Sequence, residues 1–303
     1  MPDKVLITGY TGFVGSKLVD TLDKEGGYSL YGVNTKHGNM LSSDFNKEFE
    51  AIKPDIVVHC AGYNGNINFN IKNKFDILQQ NTEMANRLFD QCIKYRPKCV
   101  ISLIASCAYN SDKSFLHETD ILTGKPHETV EGHGYAKRHL QLLSNYAREQ
   151  YGINSFTVCF PTLYGPGDSF NLAKTKVMGS LIKKFVDAVD NGLQEVELWG
   201  NGEPRRQFLY IDDAVCELVC CIKENLKLGS TKPYHICDSV NISIKNLANK
   251  IAILTGFDGN IKWNTSMSNG QKDKTLIPQF MTKEYTSLDD GIRKTIDYYR
   301  SIK

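Results

Sequence analysis

The chain has 303 residues, with 36 Lys+Arg against 34 Asp+Glu (formal charge +2), 41% hydrophobic and 23% charged residues. That profile belongs to an ordinary globular protein with enough interior for a full core. The near balance of charge excludes broad binding to nucleic acid, which needs a basic face, and leaves room for a small anion held by a few local cations.

In chain order, residues 4–8 read as a short buried strand running into Gly9-x-x-Gly12-x-x-Gly15 and an amphipathic helix. Further strands fit 28–33, 55–59, 99–104 and 154–160. Helical patterns intervene at 45–52 and 82–95, ending at Pro54 and Pro97, and a long helix at 134–150 ends at Gly152. Strands alternating with helices predict an α/β fold with a doubly wound parallel sheet of the Rossmann type. After about residue 165 the pattern loosens, with helices at 176–191, 211–225 and 243–255 and polar loops at 200–206 and 264–275. The expected organisation is a dinucleotide-binding domain over 1–165 and a smaller α/β substrate lobe over 166–303, interleaved with late strands of the sheet.

Nine cysteines, at 60, 92, 99, 107, 159, 216, 220, 221 and 237, include no Cys-x-x-Cys pair. Cys216 and Cys220 share a helix face, but no nearby His or Cys completes a zinc set, so no metal is expected. Free core thiols imply a reducing compartment. With no apolar run of about 18 residues and no signal-peptide core behind Met1-Pro2-Asp3-Lys4, the expected location is the cytoplasm, away from membranes.

The glycine turn carries the first chemistry. Because it follows a strand and opens a helix, Gly9, Thr11, Gly12, Phe13, Val14 and Gly15 are expected to lie against a dinucleotide pyrophosphate. Glycine permits the tight turn and the close backbone approach, and the helix N-terminus presents partial positive charge. Cys60, Ala61 and Gly62 after the third strand complete the cofactor crevice. The second strand ends Val33-Asn34-Thr35-Lys36-His37, without the acid that NAD-preferring sites place on the ribose hydroxyls. Asn34 and Lys36 therefore favour NADP over NAD, Lys36 by pairing with the extra phosphate; the alternative is a solvated turn lysine.

Five segments then carry a resemblance: Ala105-Ser-Cys-Ala-Tyr109, Gly134-Tyr-Ala-Lys-Arg138, Leu163-Tyr-Gly-Pro-Gly-Asp168, the block from Leu198 to Asp213, and Asn241 to Ala248. Together they resemble the extended short-chain dehydrogenase/reductases, and more closely the GDP-L-fucose synthase group, over nearly the whole length. The resemblance implies NADPH-dependent reduction of a GDP-linked 4-keto-6-deoxy sugar, with or without epimerisation. It also implies a homodimer through the 82–95 and 134–150 helices, whose apolar stripes (Met84, Leu88, Phe89; Leu140, Leu143, Tyr146) a core would equally require. Other readings are a different nucleotide-sugar epimerase or dehydratase, or a catalytically degenerate protein that binds NADP and a nucleotide sugar.

The catalytic positions depart from the group. Its chemistry places a Tyr and a Lys four residues apart on one helix, the lysine lowering the tyrosine pKa and holding the nicotinamide ribose. Lys137 matches the lysine, but His133 stands four residues before it. Tyr135 lies two residues from Lys137; the register Tyr135 with His139 would restore the tyrosine and sacrifice the lysine. His133 with Lys137 needs no gap, and a histidine can take and give protons near neutrality. The group's catalytic Ser falls on Ala105, and strand alternation points Ser106 elsewhere. Of its epimerase Cys–His pair, Cys107 remains and Lys176 replaces the histidine. The resemblance also assigns Ser106, Cys107, Thr162, Lys176, Val177 and Leu181 to the sugar and its surroundings. It assigns Lys184, Trp199, Arg206 and Lys274 to the nucleotide diphosphate and base, for which cations and an indole are suited.

Overall fold

Successive apolar residues on the early strands point to opposite faces, and this alternation builds the layers. Val5 and Ile7 enter one core with Ile56, Val58 and Ile101, whereas Leu6, Val57, Val100 and Ile104 enter the other. The protein is described by a computed structural model covering residues 1–172, 174–223, 231–267, 270–278 and 284–303.

The first half runs β1 (Asp3–Thr8), α1 (Phe13–Glu25), β2 (Tyr28–Val33), α2 (Asp44–Ile52), β3 (Ile56–His59), α3 (Ile67–Lys72), α4 (Lys74–Tyr95) and β4 (Cys99–Ala105). It continues through β5 (Phe115–Leu116), α5 (Glu131–Tyr151), β6 (Ser155–Phe160) and β7 (Thr162–Tyr164). The second half comprises α6 (Val177–Asp190), β8 (Glu195–Trp199), β9 (Arg205–Tyr210), α7 (Ile211–Lys223), β10 (Tyr234–His235) and β11 (Asn241–Ser243). It closes with α8 (Ile244–Thr255), β12 (Asn260–Asn264), β13 (Thr275–Leu276) and α9 (Leu288–Ser301). Helix α4 begins eight residues before the expected 82, and β9 starts inside the stretch expected to be loop.

The main sheet has the order β10-β6-β4-β3-β1-β2, and all its pairings are parallel. The chain leaves β1 for β2 on one side and returns to β3 on the other, so the carboxyl ends of β1 and β3 flank a crevice where the connections diverge. Helices α1 and α7 cover one face; α2, α4 and α5 cover the other. The core on the α1 face joins Leu18 and Phe156 to Ala214, Leu218 and Ile236, so packing crosses residue 165 without a break. A third core, centred on Phe185, Leu247 and Ile292, holds α6, α8 and α9 together.

Two buried polar links tie the late segments to the sheet. His235 Nδ1 donates to the Ile277 carbonyl at 3.1 Å, which leaves Nε2 to accept from the Tyr109 hydroxyl at 2.5 Å; burial holds this imidazole down to about 4. The Gln207 amide donates to the Asp238 and Leu276 carbonyls and accepts from Leu276 N–H at 2.7 Å. Gln207 thereby fixes β13 beside β9 and places the residue preceding it, Lys274. The apolar stripe proposed for α4 and α5 goes mostly into this chain's own core: Met84, Leu88, Phe89 and Leu140 are buried there, and Tyr146 stays exposed.

Candidate active site

The glycine turn is built by contact, not by composition. Gly9 has φ +65°, and a Cβ there would lie 2.8 Å from Ala61 Cα. A Cβ on Gly15 would stand 2.3 Å from the Gly9 carbonyl oxygen. Gly12 caps α1 without any side-chain hydrogen bond, and Phe13, Val14 and Gly15 put no acid in the first turn. The free N–H groups and the helix dipole therefore face the crevice uncompensated. Thr8 Oγ1, 2.8 Å from His59 Nδ1, accepts from Ala61 N–H at 3.2 Å. This brings Cys60, Ala61 and Gly62 against the turn, and burial with the nearby Lys137 holds His59 down to about 3. The cradle fits a dinucleotide.

The end of β2 closes the same crevice. Asn34 Nδ2 donates to Thr11 Oγ1 at 3.4 Å, and Asn34 Oδ1 accepts from the backbone of Lys36 and His37. The Lys36 side chain is exposed and, among the described residues, makes no ion pair.

At the start of α5 the helix is pressed against its neighbours on both sides of His133. A Cβ on Gly132 would lie 2.4 Å from the Lys74 carbonyl oxygen, and one on Gly134 would lie 2.7 Å from that of Cys107. Arg138, four residues on, donates to the Ala108, Gly124 and Thr123 carbonyls at 2.6–2.8 Å, pinning the turn that carries Ser106 and Cys107. Lys137 Nζ donates to the Leu103 carbonyl at 2.8 Å and lies within 4.0 Å of the Cβ position on Gly62. Burial lowers Lys137 to about 8, against opposing pulls from Cys107 and Cys60. His133 is 6% exposed, and burial followed by the charges of Lys137, Lys176 and Lys274 holds it well below the ordinary histidine range. The imidazole is neutral at physiological pH.

A cavity of about 400 Å³ opens beside His133. Ser106, Cys107, Thr162, Lys176, Val177 and Leu181 line it around the imidazole. Lys184, Trp199, Arg206 and Lys274 line it as well. Ser106 departs from the expected orientation because β4 ends at Ala105 and the chain bends into a short 3-10 turn over Ser106–Ala108, so alternation no longer applies. Tyr135 is the other correction. It does not line the cavity, and the Arg138 guanidinium sits 5.8 Å from its ring centroid. Two residues along a helix turn a side chain roughly to the opposite side, so Tyr135 cannot share a face with Lys137.

Charge in the cavity has one sign. Lys176, Lys184, Arg206 and Lys274 line it, and among the described residues that line it there is no Asp or Glu. Arg206 donates to the Gln271 and Lys272 carbonyls, and Lys184 donates to the Glu197 carbonyl at 2.7 Å with its ammonium 5.8 Å from the Trp199 ring. Burial, then the neighbouring Arg206, lowers Lys274 to about 8. Burial raises the Cys107 thiol although Lys274, Lys137 and Lys176 oppose it, so it remains a thiol at neutrality. An open groove of about 720 Å³ beside α9 has mixed charge, with Asp213, Glu284, Asp290 and Asp297 facing Arg293 and Lys294 among its lining residues. Among the described residues no group of His, Cys, Asp and Glu is placed to hold a metal, and no helix is long and apolar enough to cross a membrane.

Sequence reasoning missed Asn64, His127, Gln271 and Trp263, which also line the cavity. Trp263 carries the one legible signal, since a second tryptophan in a chain with only two is worth locating. The others sit in polar stretches that read as loop.

Fold and site together define a dinucleotide-binding α/β protein with an adjoining cationic cavity. The model of the NAD dependent epimerase/dehydratase family matches residues 5–237, and the chain belongs to that family. It is 29% identical to a GDP-L-colitose synthase from Yersinia pseudotuberculosis, over 99% of each chain. It is 28% identical to a GDP-L-fucose synthase from Dictyostelium discoideum, over 97% of this chain and 94% of that one. Among solved structures, a GDP-L-fucose synthetase from Naegleria fowleri bound to NADP superposes with a TM-score of 0.88 at 27% identity, covering 99% and 94%. A GDP-6-OMe-4-keto-L-xylo-heptose reductase from Campylobacter jejuni gives a TM-score of 0.91 at 21% identity, a likeness of fold.

Proposed function

We propose that this chain is an NADPH-dependent reductase of a GDP-linked 4-keto-6-deoxy sugar in nucleotide-sugar biosynthesis, acting in the cytoplasm. The observation that carries the reading is that one cavity, with no Asp or Glu among the described residues lining it, joins His133 and Cys107 to Lys184, Trp199, Arg206 and Lys274. Two of its relatives are, by their names, synthases of GDP-linked sugars. Gly9, Gly12, Gly15 and Gly62 would hold the dinucleotide, with Lys137 at its ribose and Lys36 at its extra phosphate. When bound, NADPH supplies the hydride that reduces the carbonyl carbon.

The residues of this chain do the rest. Lys184, Arg206 and Lys274 hold the diphosphate, and Trp199 packs on the base. His133, neutral, can donate from one ring nitrogen while accepting at the other, so it relays a proton to the carbonyl oxygen without carrying net charge. Cys107, Lys176, Ser106 and Thr162 surround the sugar. Reduction alone is proposed, because Lys176 replaces the histidine of the family's epimerase pair.

The test is NADPH oxidation with a panel of GDP-linked 4-keto sugars. His133→Ala is expected to lower kcat about 10²–10⁴-fold, the usual contribution of a positioned acid–base group, with NADPH affinity unchanged. The lost hydroxyls favour one second reading, a protein that binds NADPH and GDP-sugar without turning them over. Tight binding of both with no oxidation across the panel would establish it. The resemblance also carries a homodimer, for which Phe75 on α4 and Tyr146 on α5, 73% and 56% exposed, offer apolar surface; light scattering on the purified chain tests it.

A further inference from the structure

His127 lines the cavity from a segment that no motif marked. It precedes the short 3-10 turn Glu128–Val130 that runs into α5, and it caps that turn. Its Nδ1 accepts from the Thr129 N–H at 3.4 Å and lies 2.8 Å from the Thr129 hydroxyl. Thr129 is buried, so the cap anchors the ring to packed backbone. A ring nitrogen that accepts from a backbone N–H carries no proton, so in the neutral imidazole the proton sits on Nε2. Nε2 makes no hydrogen bond among the described residues.

A chain of backbone contacts holds this ring beside two of the cavity's cations. The Ser111 N–H donates to the carbonyl of Lys125, two residues before His127, at 2.8 Å. The Ser111 carbonyl accepts from Gln271 Nε2 at 3.2 Å. The Gln271 and Lys272 carbonyls in turn accept from Arg206 at 2.6 and 3.4 Å, and Lys274 follows on the same segment. Ser111 therefore stitches the His127 loop to the segment that carries Lys274 and receives Arg206. Pro126 is pressed against α5, where a Cβ on Gly134 would lie 2.6 Å from its own Cβ. The charged groups acting on His127 are Glu128 in its own turn and, across the stitch, Lys274 and Arg206; burial and the two cations hold the ring below the ordinary histidine range against the pull of Glu128. Lys137 and Lys176, which act on His133 at the sugar end, are not among them.

We infer that His127 is a further binding residue for the substrate's diphosphate, donating from Nε2 as the neutral partner of Arg206 and Lys274. The inference rests on the reading of those two cations as the diphosphate site. A neutral donor adds a hydrogen bond to an ionised oxygen without adding like charge beside two cations. The cap keeps Nδ1 occupied, so the ring cannot turn its donor away from the cavity without losing the Thr129 contact.

The probe is GDP, with guanosine as the control that lacks phosphate. His127→Asn keeps a side-chain acceptor of a type preferred at such caps and shortens the reach into the cavity. Its melting temperature is expected to match wild type, while calorimetry shows Kd for GDP raised about tenfold and guanosine affinity unchanged. In ¹⁵N-histidine NMR of the wild type, His127 is expected as the Nε2–H tautomer, and its Nε2 resonance is expected to shift on saturation with GDP. Wild-type GDP affinity in a stably folded His127→Asn protein would overturn the inference, as would a His127 resonance unmoved by GDP. An equal loss for GDP and guanosine would put the ring at the base and overturn it too. If His127→Asn does not fold, the wild-type resonance decides alone. Failure of the wild-type protein to bind GDP would overturn the diphosphate site itself, and this ligand with it.

Discussion

The cofactor turn and the sugar cavity lie next to each other and are specified in different ways. The turn is seven consecutive residues whose first and last glycines follow from backbone geometry: positive φ at Gly9, and no room for a Cβ at Gly15. The cavity draws on segments from Asn64 to Lys274, and each contributes one or two side chains of ordinary type. At Gly9 and Gly15 the turn has no room for a side chain, a steric constraint. At the cavity Ala105 and His133 stand where the resemblance places two hydroxyls, and its constraint is only that suitable polar atoms arrive together.

That contrast can be broken at either end. The largest effect is expected from Gly15→Val, which drives a side chain into the Gly9 carbonyl; NADPH fluorescence titration should show binding lost, and near wild-type affinity would mean the turn is softer than its contacts imply. Arg206→Ala should raise KM for the GDP-sugar about 10- to 100-fold, the cost of roughly 1.5–3 kcal/mol for a hydrogen bond to a charged group, with kcat little changed. A drop in kcat alone would move Arg206 from binding to chemistry.

Acidity gives a smaller, graded effect. Lys137 and Lys274 are both lowered to about 8, so they are charged below that pH and lose their protons as it rises through it. The rate at limiting substrate, kcat/KM, should therefore fall severalfold between about pH 7 and 9 in a stopped-flow profile of the free enzyme. A flat profile would show that neither cation matters to binding. The smallest effect belongs to Lys36→Ala. Because the side chain is exposed, its pairing with a phosphate is screened by water. Preference for NADPH over NADH should drop only a few-fold, as for surface ion pairs worth about 0.2–1 kcal/mol. No change at all would return Lys36 to a solvated turn.

The register of α5 was legible because Lys137 with His133 fits the resemblance without a gap, and the structure then separated His133 from Tyr135 by helix geometry. The beginning of α4 was not legible. Phe75 and Leu78 are exposed, so the apolar period over 74–81 is blurred and the helix was expected to start later. Ser106 was misdirected for a related reason: alternation is a rule for strands, and β4 stops one residue earlier. Asn64 could not have been found, since an asparagine among Tyr63, Gly65 and Asn66 reads as loop until α4 and α5 pack against each other.

By itself the sequence determined the doubly wound sheet and the dinucleotide turn, because these depend on period, spacing and local sterics, and its resemblance to a family supplied the candidate side chains. Only the tertiary structure decided which candidates meet. It buried His133 beside three cations so that the ring stays neutral, turned Tyr135 away, and gathered four cations around one cavity. Protonation states and partners depend on distance and desolvation, and those exist only once segments far apart in the chain are packed together.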